Sequence, residues 1–157
     1  MTSEAMVKAL QRMEFLQGLE PHQVEKLAAI AREVSFAADE VIFREGEVDN
    51  VVYLILEGQT AIDIYTSGRT WATILTVGPG QLLGWSSLFT QMRKTAKGRA
   101  VAPTRAIALN APKLREVCEA DHELGYIIGW RLAELIAGRL KATRLQLVDI
   151  FAPASQS

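Results

Sequence analysis

Apolar residues in the stretch 20–32 recur at Val24, Leu27, Ala28 and Ala31, intervals of three and four that gather them on one helical face. Pro21 suits a first helical turn, where its missing N–H has no intrahelical acceptor to lose. Residues 1–32 as a whole read as helical. From residue 33 the period changes. Val34 and Phe36 alternate with polar neighbours, 41–43 is a short apolar run before Gly46, and 51–56 is a β-rich run ended by Glu57-Gly58. Ala61, Ile62 and Ile64 lead to Tyr65, and Thr66-Ser67-Gly68-Arg69 reads as a hairpin turn into the strand 71–77, which stops at Gly78-Pro79-Gly80. Residues 85–90 suggest one short helical turn. Strands follow at 96–102 and 105–109, with Pro103-Thr104 between them.

Helical periodicity returns at residue 111. A first helix is expected over 112–120, and 121–151 contains no proline and can form one helix of roughly 45 Å. Its apolar positions, among them Leu124, Ile128, Leu132, Leu135, Ile136, Leu140 and Val148, cover more than one seam. Such a helix can pack on the β-zone with one side and meet a second helix with another. Many short strands separated by glycine-bearing turns, with no βαβ alternation, point to a sandwich or closed barrel. The expected architecture is therefore mainly β with flanking helices. Residues 1–151 read as one domain, with N-terminal helices (1–32), a β-barrel (33–110) and C-terminal helices (111–151); residues 152–157 read as a flexible tail.

Composition narrows the function. The 157 residues are 49% hydrophobic and 22% charged, a balance suited to a folded core rather than disorder. The formal net charge of -1 gives no overall positive field to hold nucleic acid or an anionic membrane. No apolar run approaches the ~18 residues needed to span a bilayer, and no signal core is visible, so a cytoplasmic protein is expected. Cys118 has no partner for an internal disulfide and suits a small buried hydrophobe. The histidines, His22 and His122, fall in the helical zones, and no Ser/His/Asp, Cys/His or metal-ligating set is discernible on the strands. A non-enzymatic protein is expected.

The segment 78–96, G-P-G-Q-L-L-G-W-S-S-L-F-T-Q-M-R-K-T-A, resembles the cyclic-nucleotide-binding domain family, the sensory fold of catabolite-activator and Fnr-type regulators and of cyclic-nucleotide-dependent kinases and channels. F-L-Q-G-L (15–19) resembles the family's opening motif, and R-E-G-E-V-D-N-V-V-Y-L-I-L-E-G (44–58) its acidic-Gly, Asp, aromatic-centred strand. The resemblance covers residues 14–148 and implies a double-stranded β-helix, or jelly-roll, barrel with a long C-terminal helix.

A glycine turn opening a short helix leaves amide N–H groups without intrahelical partners, which suits a phosphate. Gly84 with Ser86 and Ser87 has that form. The resemblance implies that Lys94 and Thr95 stand where the family places its phosphate-binding arginine and the neighbouring hydroxyl. Arg93 is adjacent, although neighbouring strand residues face opposite ways and one of the pair should point out of the pocket. The resemblance also implies a ribose-binding glutamate after Gly84, where this chain has Trp85, an indole with one donor and no acceptor. Lysine at 94 lacks arginine's bidentate fork. Both changes together should weaken cyclic AMP binding by ~100-fold or more. Trp85 could fill the pocket, stack on a different ligand, or serve as a core tryptophan against the long helix. On that helix, R-L-K-A-T-R-L (139–145) resembles the stretch whose threonine contacts the base, with Thr143 matching and Arg144 beside it; a helical threonine can equally bond its own backbone.

The expected function is a ligand-sensing regulatory module for a cyclic nucleotide or another small anion, with no certain cofactor. Alternatives are an interaction module without a small ligand, or a truncated Crp/Fnr-type transcription regulator. A homodimer through the C-terminal helix and an unidentified effector protein are the expected partners. Direct DNA binding is not expected, because few residues follow Phe151, and neither is a membrane.

Overall fold

The computed structural model describes residues 1–89 and 93–151. Helix α1 (Ser3–Gln11) opens on Thr2, whose hydroxyl accepts the Ala5 N–H. A 3-10 turn (Glu14–Leu16) and α2 (Pro21–Ala28) follow, with Pro21 in the first turn and the Gln23 side chain accepting the Glu20 N–H at 2.8 Å. The helical reading of 1–32 runs slightly too far, because β1 (Ala31–Phe36) starts at Ala31, paired opposite Leu109.

The remaining strands are β2 (Val41–Phe43), β3 (Val51–Glu57), β4 (Thr60–Tyr65), β5 (Trp71–Val77), β6 (Leu82–Leu83), β7 (Lys97–Ala100) and β8 (Thr104–Asn110). Among the described residues they form two four-stranded antiparallel sheets, ordered β1-β8-β3-β6 and β2-β7-β4-β5. This is the jelly-roll barrel expected.

The first sheet is apolar on both faces, which explains the unbroken run in β3. Val52 and Leu54 point outward into a cluster with Leu10, Leu27, Leu114 and Leu124 of the helices. Tyr53 and Ile55 point inward to Phe43, Val77 and Leu83. In β8, Ile107 and Leu109 join the helical side while Ala106 and Ala108 face the barrel, their small side chains leaving room for the aromatics. The two-residue β6 repeats the division, with Leu82 on one side and Leu83 on the other.

Helix α3 (Ala111–Ala120) is capped by Asn110, and α4 (His122–Ile150) by Asp121, whose carboxylate accepts the Leu124 N–H and pairs with Lys26 at 2.8 Å. Helix α4 buries Leu124 and Ile128 in the core and then leaves it, so every residue from Leu140 to Phe151 is exposed. The short turn expected at 85–90 is a 3-10 helix over Trp85–Leu88, with Thr90 outside the described residues, as is the expected flexible tail 152–157. No helix among the described residues is long and apolar enough to cross a membrane.

Candidate functional site

A cavity of about 350 Å³ lies between the β4–β5 side of the barrel and α4. Ile62, Ile64, Ile74 and Leu75 form its apolar floor, and Ile136 and Leu140 of α4 form its roof. Trp85 forms one side, half-buried, its ring edge-on to Phe89 at a centroid separation of 5.8 Å. The indole therefore stands as a wall beside an open space, in contact with the main core cluster.

The polar groups divide into two sets. Gly84, Trp85, Ser86, Arg93, Lys94, Thr95 and Thr143 border the cavity, so seven positions singled out from sequence converge on one space. Ser87 and Arg144 do not border it. The Ser87 hydroxyl turns instead to the Asp49 carboxylate, because two residues beyond Trp85 a 3-10 turn has rotated away from the cavity. Arg144, one residue past Thr143, is carried about 100° round the helix, on its exposed side.

Gly84 holds the left-handed conformation (φ 85°) that starts the turn. Lys94 sinks beneath it. Its side chain is 3% exposed, its Nζ donates to the Gly84 carbonyl at 3.2 Å, lies 3.8 Å from Asp49, and sits 4.5 Å from the Phe43 ring centroid. Burial pushes the Lys94 pKa down, against the Asp49 charge, which raises it. Arg93 is exposed and donates to the Gly46 carbonyl at 3.0 Å. Both residues precede β7 and lie outside any strand, so strand alternation does not apply to them, and both border the cavity instead of one pointing out of it. The Thr143 hydroxyl donates to the Arg139 carbonyl at 2.9 Å, one turn back along its own helix.

Arg139 also borders the cavity, although by sequence alone it is one of several basic positions along the helix. It is half-buried and donates to the Leu82 carbonyl at 2.6 Å, and burial pushes its pKa down to about 10. Its position four residues before Thr143 was the available signal, since that spacing shares a helical face. No carboxylate borders the cavity among the described residues. The arrangement is an apolar slot supplied with cations and hydroxyls, able to take a small anion with an apolar or aromatic body.

Residues 33–121, more than half of the chain, match the Cyclic nucleotide-binding domain family. The chain belongs to this family. Strands β2 to β8, most of β1, the Gly84 turn and α3 fall within the match. It is similar to a CRP-like cAMP-activated global transcriptional regulator of Mycobacterium tuberculosis, at 26% identity over 92% of this chain and 63% of the relative. It is also similar to the Cyclic AMP receptor protein of Thermus thermophilus, at 28% identity over 83% of this chain and 58% of the relative. The chain thus spans about six-tenths of the length of these regulators. A cyclic nucleotide-binding domain from Methylobacillus flagellatus shares the fold, with a TM-score of 0.80 at 20% identity over 98% of this chain and 86% of that one.

Proposed function

We propose that this chain is a non-enzymatic sensing module whose cavity takes a small anionic molecule and whose α4 transmits occupancy to a partner. One observation carries the reading: Arg93, Lys94 and Arg139 border a largely apolar cavity that no carboxylate borders among the described residues. Such a slot selects for negative charge joined to apolar surface. Cyclic nucleotides are the first class to test, given the family and the two cyclic-AMP-related relatives. Cyclic AMP itself suits the site poorly. Trp85 offers no acceptor for a ribose hydroxyl, and the Lys94 ammonium already faces the Gly84 carbonyl and Asp49.

Because α4 forms the cavity roof, a ligand that prefers one position of the helix shifts the population toward it. The outer side of α4 exposes Tyr126, Trp130, Leu147 and Phe151, which with Ala133, Ala137, Leu140 and Arg144 recur at alternating intervals of four and three. That is a helix-pairing seam, and it supports a homodimer through α4. A regulator in which a further domain reads DNA is compatible with relatives longer than this chain. The test is thermal unfolding across a panel of cyclic and linear nucleotides and small organic acids, followed by calorimetric titration of any hit. A ligand that raises Tm and binds one per chain is the expected result, and silence across the whole panel removes the reading.

A further inference from the structure

The cations around the cavity are not equivalent. Lys94 has its charge met: Asp49 lies 3.8 Å away behind the cavity wall, the Gly84 carbonyl accepts from it, and the Phe43 ring covers it. Arg93 is exposed at the border, its guanidinium on the Gly46 carbonyl. Arg139 differs from both. It is withdrawn from solvent on the helical wall, no acidic group pairs with it among the described residues, and the Leu82 carbonyl is the acceptor it has found.

A guanidinium carries five N–H donors in a planar fork. A single neutral carbonyl leaves most of them, and all of the charge, uncompensated in a half-buried site. Burial lowering its pKa to about 10 expresses the same deficit. The carbonyls held by Arg139 and Lys94 belong to Leu82 and Gly84, two residues apart on one segment.

Resting on the reading of the cavity as a ligand site, we infer that Arg139 on α4, rather than Lys94 on the barrel, receives the ligand's acidic group, and that the ligand is an organic acid with a compact apolar body. A carboxylate or phosphate offers two oxygens to the guanidinium fork, a match that a point-like ammonium does not provide. The apolar remainder lies on Ile62, Ile74 and the Trp85 indole. Binding then exchanges the Leu82 carbonyl for the acid, so the charge acts directly on the helix.

The experiment is calorimetric titration of the full chain with 1-naphthaleneacetate, its uncharged amide and cyclic AMP. The variants are Arg139→Gln, Arg139→Lys and Lys94→Gln, with circular dichroism melts verifying that each is folded. For 1-naphthaleneacetate, Arg139→Gln weakens binding roughly tenfold to a hundredfold and Arg139→Lys falls between. Lys94→Gln weakens it less than Arg139→Gln does, and the amide binds wild type and Arg139→Gln alike. The same pattern with cyclic AMP assigns the acid to a phosphate instead of a carboxylate. Binding that survives Arg139→Gln and is lost in Lys94→Gln overturns this inference and leaves the sensing reading standing. Failure of 1-naphthaleneacetate and cyclic AMP alike to bind wild type overturns this inference, while the sensing reading is decided by the wider nucleotide and acid panel.

Discussion

Gly98 on β7 faces the ring of Phe43 so closely that a Cβ on Gly98 would lie 2.5 Å from the ring carbon Cε2. The same ring covers the Lys94 ammonium, so a missing methyl group on one strand sets the depth of a cation at the cavity border. Gly98→Ala must therefore displace an aromatic side chain in a packed interior. We expect it to cost about 1–3 kcal/mol, with a lower Tm. A melt unchanged from wild type would show that Phe43 can turn away freely.

Asp63 on β4 accepts from Arg99 Nε at 2.9 Å and from the Thr73 hydroxyl at 2.6 Å, with its own side chain buried. Burial raises its pKa, but the hydrogen bonds from Arg99 and Thr73, with the charges of Arg99 and Lys97, outweigh burial and hold the carboxyl below its usual value. The unfolded chain then takes up this proton first as pH falls. The stabilisation is complete above the ordinary aspartate range, about pH 4, and is lost as pH drops through the lower folded value. Asp63→Asn should cost about 1.5–3 kcal/mol at pH 7. Urea melts should show the gap to wild type narrowing below about pH 4; a gap of constant size would remove the ion pair as its source.

Trp85→Glu supplies the ribose acceptor that the family resemblance implies and this chain lacks. Cyclic AMP affinity should rise by roughly tenfold or more if that acceptor is the missing element. The loss of the indole from the Phe89 contact and the core edge should lower stability by about 2–3 kcal/mol. A folded variant with no gain in calorimetry would place the obstacle elsewhere in the cavity.

The seam on α4 predicts a dimer of 17.3 kDa chains at micromolar concentration by light scattering. Trp130 is 57% exposed in the single chain, so Trp130→Glu should leave the chain folded and shift it to monomer. A wild-type chain already monomeric at that concentration would end the dimer proposal.

The fold was legible wherever a pattern is local. The run at 51–56, the glycine turns and the proline-free stretch after 121 each announce their element without help from the rest of the chain. Leu82-Leu83 does not, because two residues have no period; they form a strand only because Tyr53 and Leu54 stand opposite. Ala31 sits at a helical interval from Ala28, and its true state is decided by a partner at Leu109, far along the chain. The site divides in the same way. Gly84, Lys94 and Thr143 carry a resemblance, whereas the turning of Ser87 toward Asp49 depends on rotation within a single turn. Arg139 was hidden for a different reason. Basic residues on an amphipathic helix are ordinarily solvated, and only the barrel wall behind this one distinguishes it.

Beyond the cavity, the Gln146 side chain donates to the Ile74 carbonyl at 2.9 Å, tying the far end of α4 to β5. One rod thus has a lumen on one flank and an open flank beside it, with Leu140 on the edge between them, and is pinned near its tip by the Gln146 amide. Anything that grips the open flank and pulls on that pin alters the room left for an occupant, and an occupant that pushes the pin loose alters what can grip. By linkage the two effects must be equal in free energy, so the affinity of each for the chain can be read from the other.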